Sequence, residues 1–311
     1  MKLHDRFSTL SPIYGGGLTN HLPMVLTALR LLDVDEETIE KFAEEYVDTN
    51  NIVDLTSSGI ENDPFNDEYV KLTNTFMNEI NQKSVEEVMN VVLNENKYSL
   101  HSGLFHGMIR LAYAYLEGND LLIAQALAYF VMIAQKLKLT GSPTEDIHTS
   151  FESLVDVRKE IEVDTIGTTN KMLILLDNKE ITEKLFYPLN SLIKKDRVLK
   201  LFVNYYNKTQ DFYILHVITG YHALHILDQF FEEKEEVYNN FFMQALIVML
   251  INPHNQYTKN KIEMESFVSL TKKVPQLKDS HDIKLFYTLV YFYERYEMDD
   301  LLISGNLIFN S

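Results

Sequence analysis

The chain has 311 residues, 46% of them hydrophobic, which is enough for a well-filled core in one large domain or two ordinary ones. A net charge of −17 argues against nucleic-acid and anionic-membrane docking, both of which need clustered Lys and Arg. There is no cysteine, so a disulfide framework and a thiolate metal site are excluded, and any metal has to be held by His, Asp, Glu or a modified side chain.

The N-terminal stretch MKLHDRFSTL lacks the apolar run of a secretory signal. The longest apolar run, Ala245 to Ile251, falls far short of the roughly 20 residues of a membrane span. A soluble, cytoplasmic protein is expected. Taken in order, the first feature is Gly15-Gly16-Gly17, which lacks the spacing and the flanking strand of a phosphate loop and reads as a turn. Leu22, Val25, Leu26, Leu29 and Leu32 then keep helical spacing, with Asn20 as the cap and Pro23 in the first turn. Glu36 to Tyr46 reads as an acidic, solvent-facing helix, and the polar stretch from Asn50 to about Asn66, containing Gly59 and Pro64, as a long loop.

Helices are predicted at Glu68 to Ile80 and Val85 to Leu93. An apolar hairpin follows, Leu104 to Leu116 and Leu121 to Leu137, turned at Glu117-Gly118-Asn119-Asp120. Gly141-Ser142-Pro143 breaks the pattern before a helix at Glu145 to Ile161, and Val163 to Asn207 reads as shorter helices. The remainder is Phe212 to Phe231, a solvated charge run from Glu232 to Glu236, and helices at Phe241 to Leu250, Ile262 to Thr271 and Ser280 to Tyr296. With no repeat and no βαβ alternation, the expected fold is all-α: a single large, multi-helix, bundle-like domain over residues 1–311 with a buried, histidine-rich site.

Histidines inside apolar helical runs are the informative residues, because a buried imidazole needs a partner for each ring nitrogen. His106 lies in Gly103-Leu104-Phe105-His106-Gly107-Met108, and His216 and His222 lie in Ile214 to Leu224. Three such residues in apolar surroundings point to a shared site. Positions 216 and 222, however, point about 120° apart on a straight helix and meet at one ion only if the Thr219-Gly220 step bends or the ion sits close to the helix axis. His222 and His225, three apart, share a face, as do His281 and Lys284. With Asp279 as cap, Lys284 falls near a positive helix end and tends toward neutrality, and a neutral amine adds carbon dioxide to give a carbamate, an oxygen ligand. Arg110, four residues after His106 on the same face, is placed either to orient a substrate oxygen or to form a structural salt bridge. His148 reads as lying near a helix start, and His4, His101 and His254 as exposed or loop residues without a role.

Asn20-His21-Leu22-Pro23-Met24, the segment Leu104 to Tyr113, Ala124 to Tyr129, the stretch His216 to Leu224, and His281-Asp282-Ile283-Lys284-Leu285 together resemble the questin oxidase-like family. That resemblance implies an all-helical fold and an oxygen-using activity, which in fungal members opens the rings of anthraquinone-type polyketides. It also implies either non-haem iron held by histidines and a carboxylated lysine, or a Baeyer–Villiger-type oxidation with NADPH. Carried over onto this sequence, the metal ligand candidates are His21, His106, His216, His222 and Lys284. His281 is then the residue that orients Lys284, moves protons or ligates in its place. His225 departs from the family, which has arginine in that run.

The leading expectation is a metal-dependent oxygenase, with iron or another divalent metal, acting with O2 on an aromatic or quinone-like small molecule. The alternatives are an NADPH-dependent oxidase without bound metal and a non-catalytic helical binding protein.

Overall fold

Helix starts follow the polar caps written into the chain. A computed structural model describes residues 3–57, 63–252 and 263–310. Asp35, Ser84, Asn119, Asp146, Asp211 and Asp279 each accept a backbone N–H of the turn they precede, a contribution of about 1 kcal/mol per helix. Asn20 accepts the Leu22 N–H at 2.9 Å, although the cap position itself belongs to His21, whose side chain makes no capping bond.

The described residues form sixteen α-helices and two small strand pairs, so the protein is all-α as the periodicity predicts. One strand pair, Ile13–Tyr14 with Leu18–Thr19, turns on the triple glycine, whose three φ angles are all positive. The other joins Ser142–Thr144 to Phe186–Pro188 in parallel, where only a chain break and short helices are predicted. Glu36–Asn50 is not wholly solvent-facing: Ile39, Phe42, Ala43 and Tyr46 are buried. Asp120–Ile133 ends four residues earlier than its apolar pattern predicts. The charge run is also more than a solvated turn, since Glu233 and Glu236 pair with Lys97, and Glu235 accepts from the Ser191 N–H and hydroxyl. Gly59, His254 and Ile262 lie outside the described residues.

The helix Phe212–Leu227 is buried on every side from Ile214 to Leu224 and lies at the centre, as expected for a helix without a polar face. Around it pack His106–Glu117, Lys195–Thr209, Lys234–Met249 and Ser280–Tyr296, while Leu22–Leu31 packs on the first and last of these four. Buried apolar side chains from Leu10 to Ile308 form one connected core. No helix among the described residues is long and apolar enough to cross a membrane.

Candidate metal centre

Four helix starts meet at one point. His21 is the residue before Leu22–Leu31, His106 the first of His106–Glu117, His216 the fifth of Phe212–Leu227, and His281 and Lys284 the second and fifth of Ser280–Tyr296. His106 is set by an unusual run in which Gly103, Leu104 and Phe105 are all left-handed, with φ of 57°, 58° and 65°. For Leu104 and Phe105 that conformation costs of order 1 kcal/mol each and is held by packing. The buried Phe105 packs its ring root against Gly220 of the central helix, where a Cβ would stand 2.8 Å from it.

The imidazoles are in mutual contact. Ring centroids are 4.7 Å apart for His21 and His106, 4.5 Å for His21 and His281, 4.8 Å for His106 and His216, and 5.1 Å for His216 and His281. Their outer nitrogens are held by the chain. His106 Nδ1 donates to the Gly103 carbonyl, His216 Nδ1 to the Phe212 carbonyl at 2.8 Å, and His281 Nδ1 to the Asp279 carboxylate at 2.9 Å. Each of these acceptors keeps the ring proton on Nδ1 by accepting its hydrogen bond, so Nε2 is left as a bare lone pair, the tautomer that binds metals. His216 Nε2 is buried with no hydrogen-bond partner.

His21 Nε2 lies 2.8 Å from His106 Nε2 and donates to it, while Ser280 Oγ sits 2.9 Å from His21 Nδ1. The serine hydroxyl donates or accepts equally well, so the His21 tautomer is free to reverse. His21, His106 and His281 each offer a ring nitrogen within 4.8 Å of the others, a group able to hold a metal ion.

Burial pushes all four imidazoles below the usual histidine range, and the Lys284 charge adds to the shift in each. Lys284 is 1% exposed, and burial brings its ammonium down to about 7. Among the described residues its side chain has no hydrogen-bond or ion-pair partner. Four helix N-termini also present partial positive charge here, which disfavours an ammonium and favours an anion.

The questin oxidase-like family model matches residues 18–200, more than half of the chain. The chain belongs to the questin oxidase-like family. Membership implies an oxidoreductase of the oxidase or oxygenase kind. Comparison with curated proteins gave no match. The stretch matched by the questin oxidase-like model carries His21, His106 and Arg110, while His216, His281 and Lys284 enter from the following residues.

His222 stands apart from this cluster. The central helix runs unbroken through Thr219 and Gly220, so the angular separation from His216 persists. The His222 ring instead contacts Tyr113, Tyr287, Tyr291 and Phe292, and neither of its nitrogens has a hydrogen-bond partner. His225 bridges the Tyr291 and Tyr296 hydroxyls.

Arg110 is buried behind the site rather than in the cluster. Its guanidinium donates to the Asn20 carbonyl at 3.3 Å and the Tyr69 hydroxyl at 3.4 Å and lies over the Tyr129 ring. His4 is buried, not exposed, against Thr27 and Glu117. His101 is also buried, and burial brings it down to about 4. His148 does begin a helix, one residue past its start.

A cavity of 510 Å³ adjoins the cluster through His106 and Phe212. Phe212, 49% exposed, packs on His216 and His281 with centroids 4.4 Å and 5.1 Å away. Sequence reasoning passed over this phenylalanine, although it stands four residues before His216 and so shares its helical face. Thr19 and Tyr129 are also on the cavity wall; Tyr129 ends one of the stretches that carry the family resemblance, but its pairing with Thr19, 110 residues away, is purely tertiary.

Proposed function

We propose that the protein is a metal-dependent oxygenase in which His21, His106, His216, His281 and Lys284 hold an iron-class ion beside a pocket for an aromatic or quinone-like substrate. The observation that carries this reading is the set of bare Nε2 lone pairs, each fixed by an acceptor on Nδ1, one of them without any partner. The donors fit such an ion. A separation of 2.8 Å between the His21 and His106 Nε2 atoms is close to that of neighbouring ligands with metal–nitrogen bonds of about 2.1 Å. Imidazole is a common ligand for iron and its neighbours.

Asp279 is engaged with His281 through Oδ1, behind the histidine, so an anionic oxygen ligand for the ion has to come from elsewhere in the cluster. A carbamate at Lys284 meets that need. The neutral amine adds carbon dioxide and releases one proton, and burial near a pKa of about 7 leaves a useful fraction of amine uncharged. The helix N-termini around it stabilise the resulting anion.

A bound iron-class ion supplies the one-electron chemistry by which dioxygen reacts with a closed-shell aromatic molecule. The chain's residues prepare the site. Gly103 and Phe212 carbonyls aim His106 and His216, and Asp279 aims His281. His281, with 22% side-chain exposure, gives protons a way between the cluster and water. Phe212 and Leu104 wall the neighbouring cavity with apolar surface and limit water there.

Metal analysis tests the reading directly. Protein expressed with iron is expected to carry near-stoichiometric metal that falls at least tenfold in His106→Ala, His216→Ala and Lys284→Ala, and stays in His222→Leu. Metal-free wild-type protein in which those His→Ala changes alter stability alone overturns the proposal and favours a non-catalytic helical binding protein.

A further inference from the structure

The cavity beside the histidine cluster has His101, His106, Thr168, Thr169 and Asn170 among its lining residues, and on its wall the buried Thr19 and Tyr129 hydroxyls bond each other at 2.7 Å. Phe65, Leu104 and Met172 supply apolar surface elsewhere. A pocket of about 300–1,000 Å³ with a few placed polar groups is the usual form of a small-molecule site. Two hydroxyls joined by one hydrogen bond keep one hydrogen and several lone pairs to offer a ligand.

Behind Tyr129 lies a second, independent feature. Arg110 is 4% exposed, sits 5.4 Å from the Tyr129 ring centroid, and forms no ion pair among the described residues. Among the described residues its hydrogen bonds go to a carbonyl and a phenol, both longer than 3.2 Å. A buried cation held by two long bonds to neutral acceptors lacks the anion that such a charge ordinarily requires.

We infer that the Thr19–Tyr129 pair is an oxygen-recognition subsite that selects ligands carrying a ring hydroxyl, with ionised hydroxyls preferred. Arg110 acts as the positioning residue, its charge favouring the anion through Tyr129. The subsite rests on the reading that oxidation occurs at the neighbouring cluster, since it fixes which end of the molecule faces away from Thr19 and toward His106. The Tyr129 phenol donates to the ligand oxygen while Thr19 donates to Tyr129. Phe212 and Met172 bracket the ring.

Calorimetric titration of the purified protein with naphthalene, 2-naphthol and a nitronaphthol ionised at neutral pH tests this. Affinity is expected to rise in that order, with naphthol bound about tenfold tighter than naphthalene, the value of one good hydrogen bond. Tyr129→Phe is expected to erase the naphthol preference while naphthalene binding persists. Thr19→Val, which removes the partner hydroxyl, is expected to weaken the same preference and serves if Tyr129→Phe folds poorly. Arg110→Gln is expected to lose selectively the advantage of the ionised probe. Metal content is measured on every sample used for titration, so loss of metal and loss of the subsite are read separately. Equal affinities for naphthalene and naphthol, an unchanged preference in Tyr129→Phe and Thr19→Val, or no binding of any probe overturns the inference.

Discussion

His222 shows what an unpaired buried imidazole does to a fold. Both of its nitrogens are enclosed among Tyr113, Tyr287, Tyr291 and Phe292 without a partner, a desolvation cost of about 1–3 kcal/mol. Burial lowers its pKa from the ordinary 6.5 to about 3. Between those values the unfolded chain binds a proton that the folded chain refuses, so stability present above about pH 6.5 is lost as pH falls. His222→Leu is expected to raise stability at pH 7 by about 2 kcal/mol. It is also expected to flatten the decline between pH 4 and 6 by up to about 1.4 kcal/mol per pH unit. Urea melts at stepped pH measure both effects. A destabilised variant with an unchanged pH slope means that His222 has a partner in solution.

At the scale of elements, the site depends on how closely the His106 helix approaches the central one. Gly220 lets the Phe105 ring lie against bare backbone, and Phe105 is the residue before His106. A methyl group there meets the root of a fully buried ring rather than a flexible tip. Gly220→Ala is therefore expected to cost about 1–3 kcal/mol by overpacking and to weaken metal retention as His106 shifts away from His216. Chemical denaturation and metal content of the same sample check both; normal stability together with full metal content shows that the contact relaxes freely. The element pattern itself was legible. Helix-spaced apolar runs and cap residues such as Asp211 and Asp279 lie in the local sequence, and local hydrogen bonds enforce them. The Ser142–Thr144 strand was not, because its partner is 44 residues away and its pattern is too short to carry a period.

Over the whole molecule, a single connected core ties Leu10 to Ile308, and the candidate ligands come from chain positions 21 to 284. We infer that residues 1–311 form one domain whose site exists only when the whole fold is in place. With no tryptophan, tyrosine fluorescence and circular dichroism are the natural probes of unfolding. The two signals are expected to coincide in one urea transition, and bound metal at 100 times its Kd is expected to add about 2.7 kcal/mol. Two separated transitions indicate more than one domain.

The sequence by itself determined the helical class, the helix starts marked by polar caps such as Asp211 and Asp279, the absence of thiolate chemistry and the candidacy of buried histidines in apolar runs. These follow from composition and from contacts within a few residues along the chain. The helix Lys234–Met249, by contrast, begins seven residues before the predicted Phe241. Tertiary structure alone decided which imidazoles meet. His216 and His222 have nearly the same local surroundings in sequence, but an unbroken helix turns them to different neighbours, and only one of them faces His106 and His281. Direction around a helix axis is fixed by local geometry, whereas what waits in that direction is fixed by packing of residues far away in the chain.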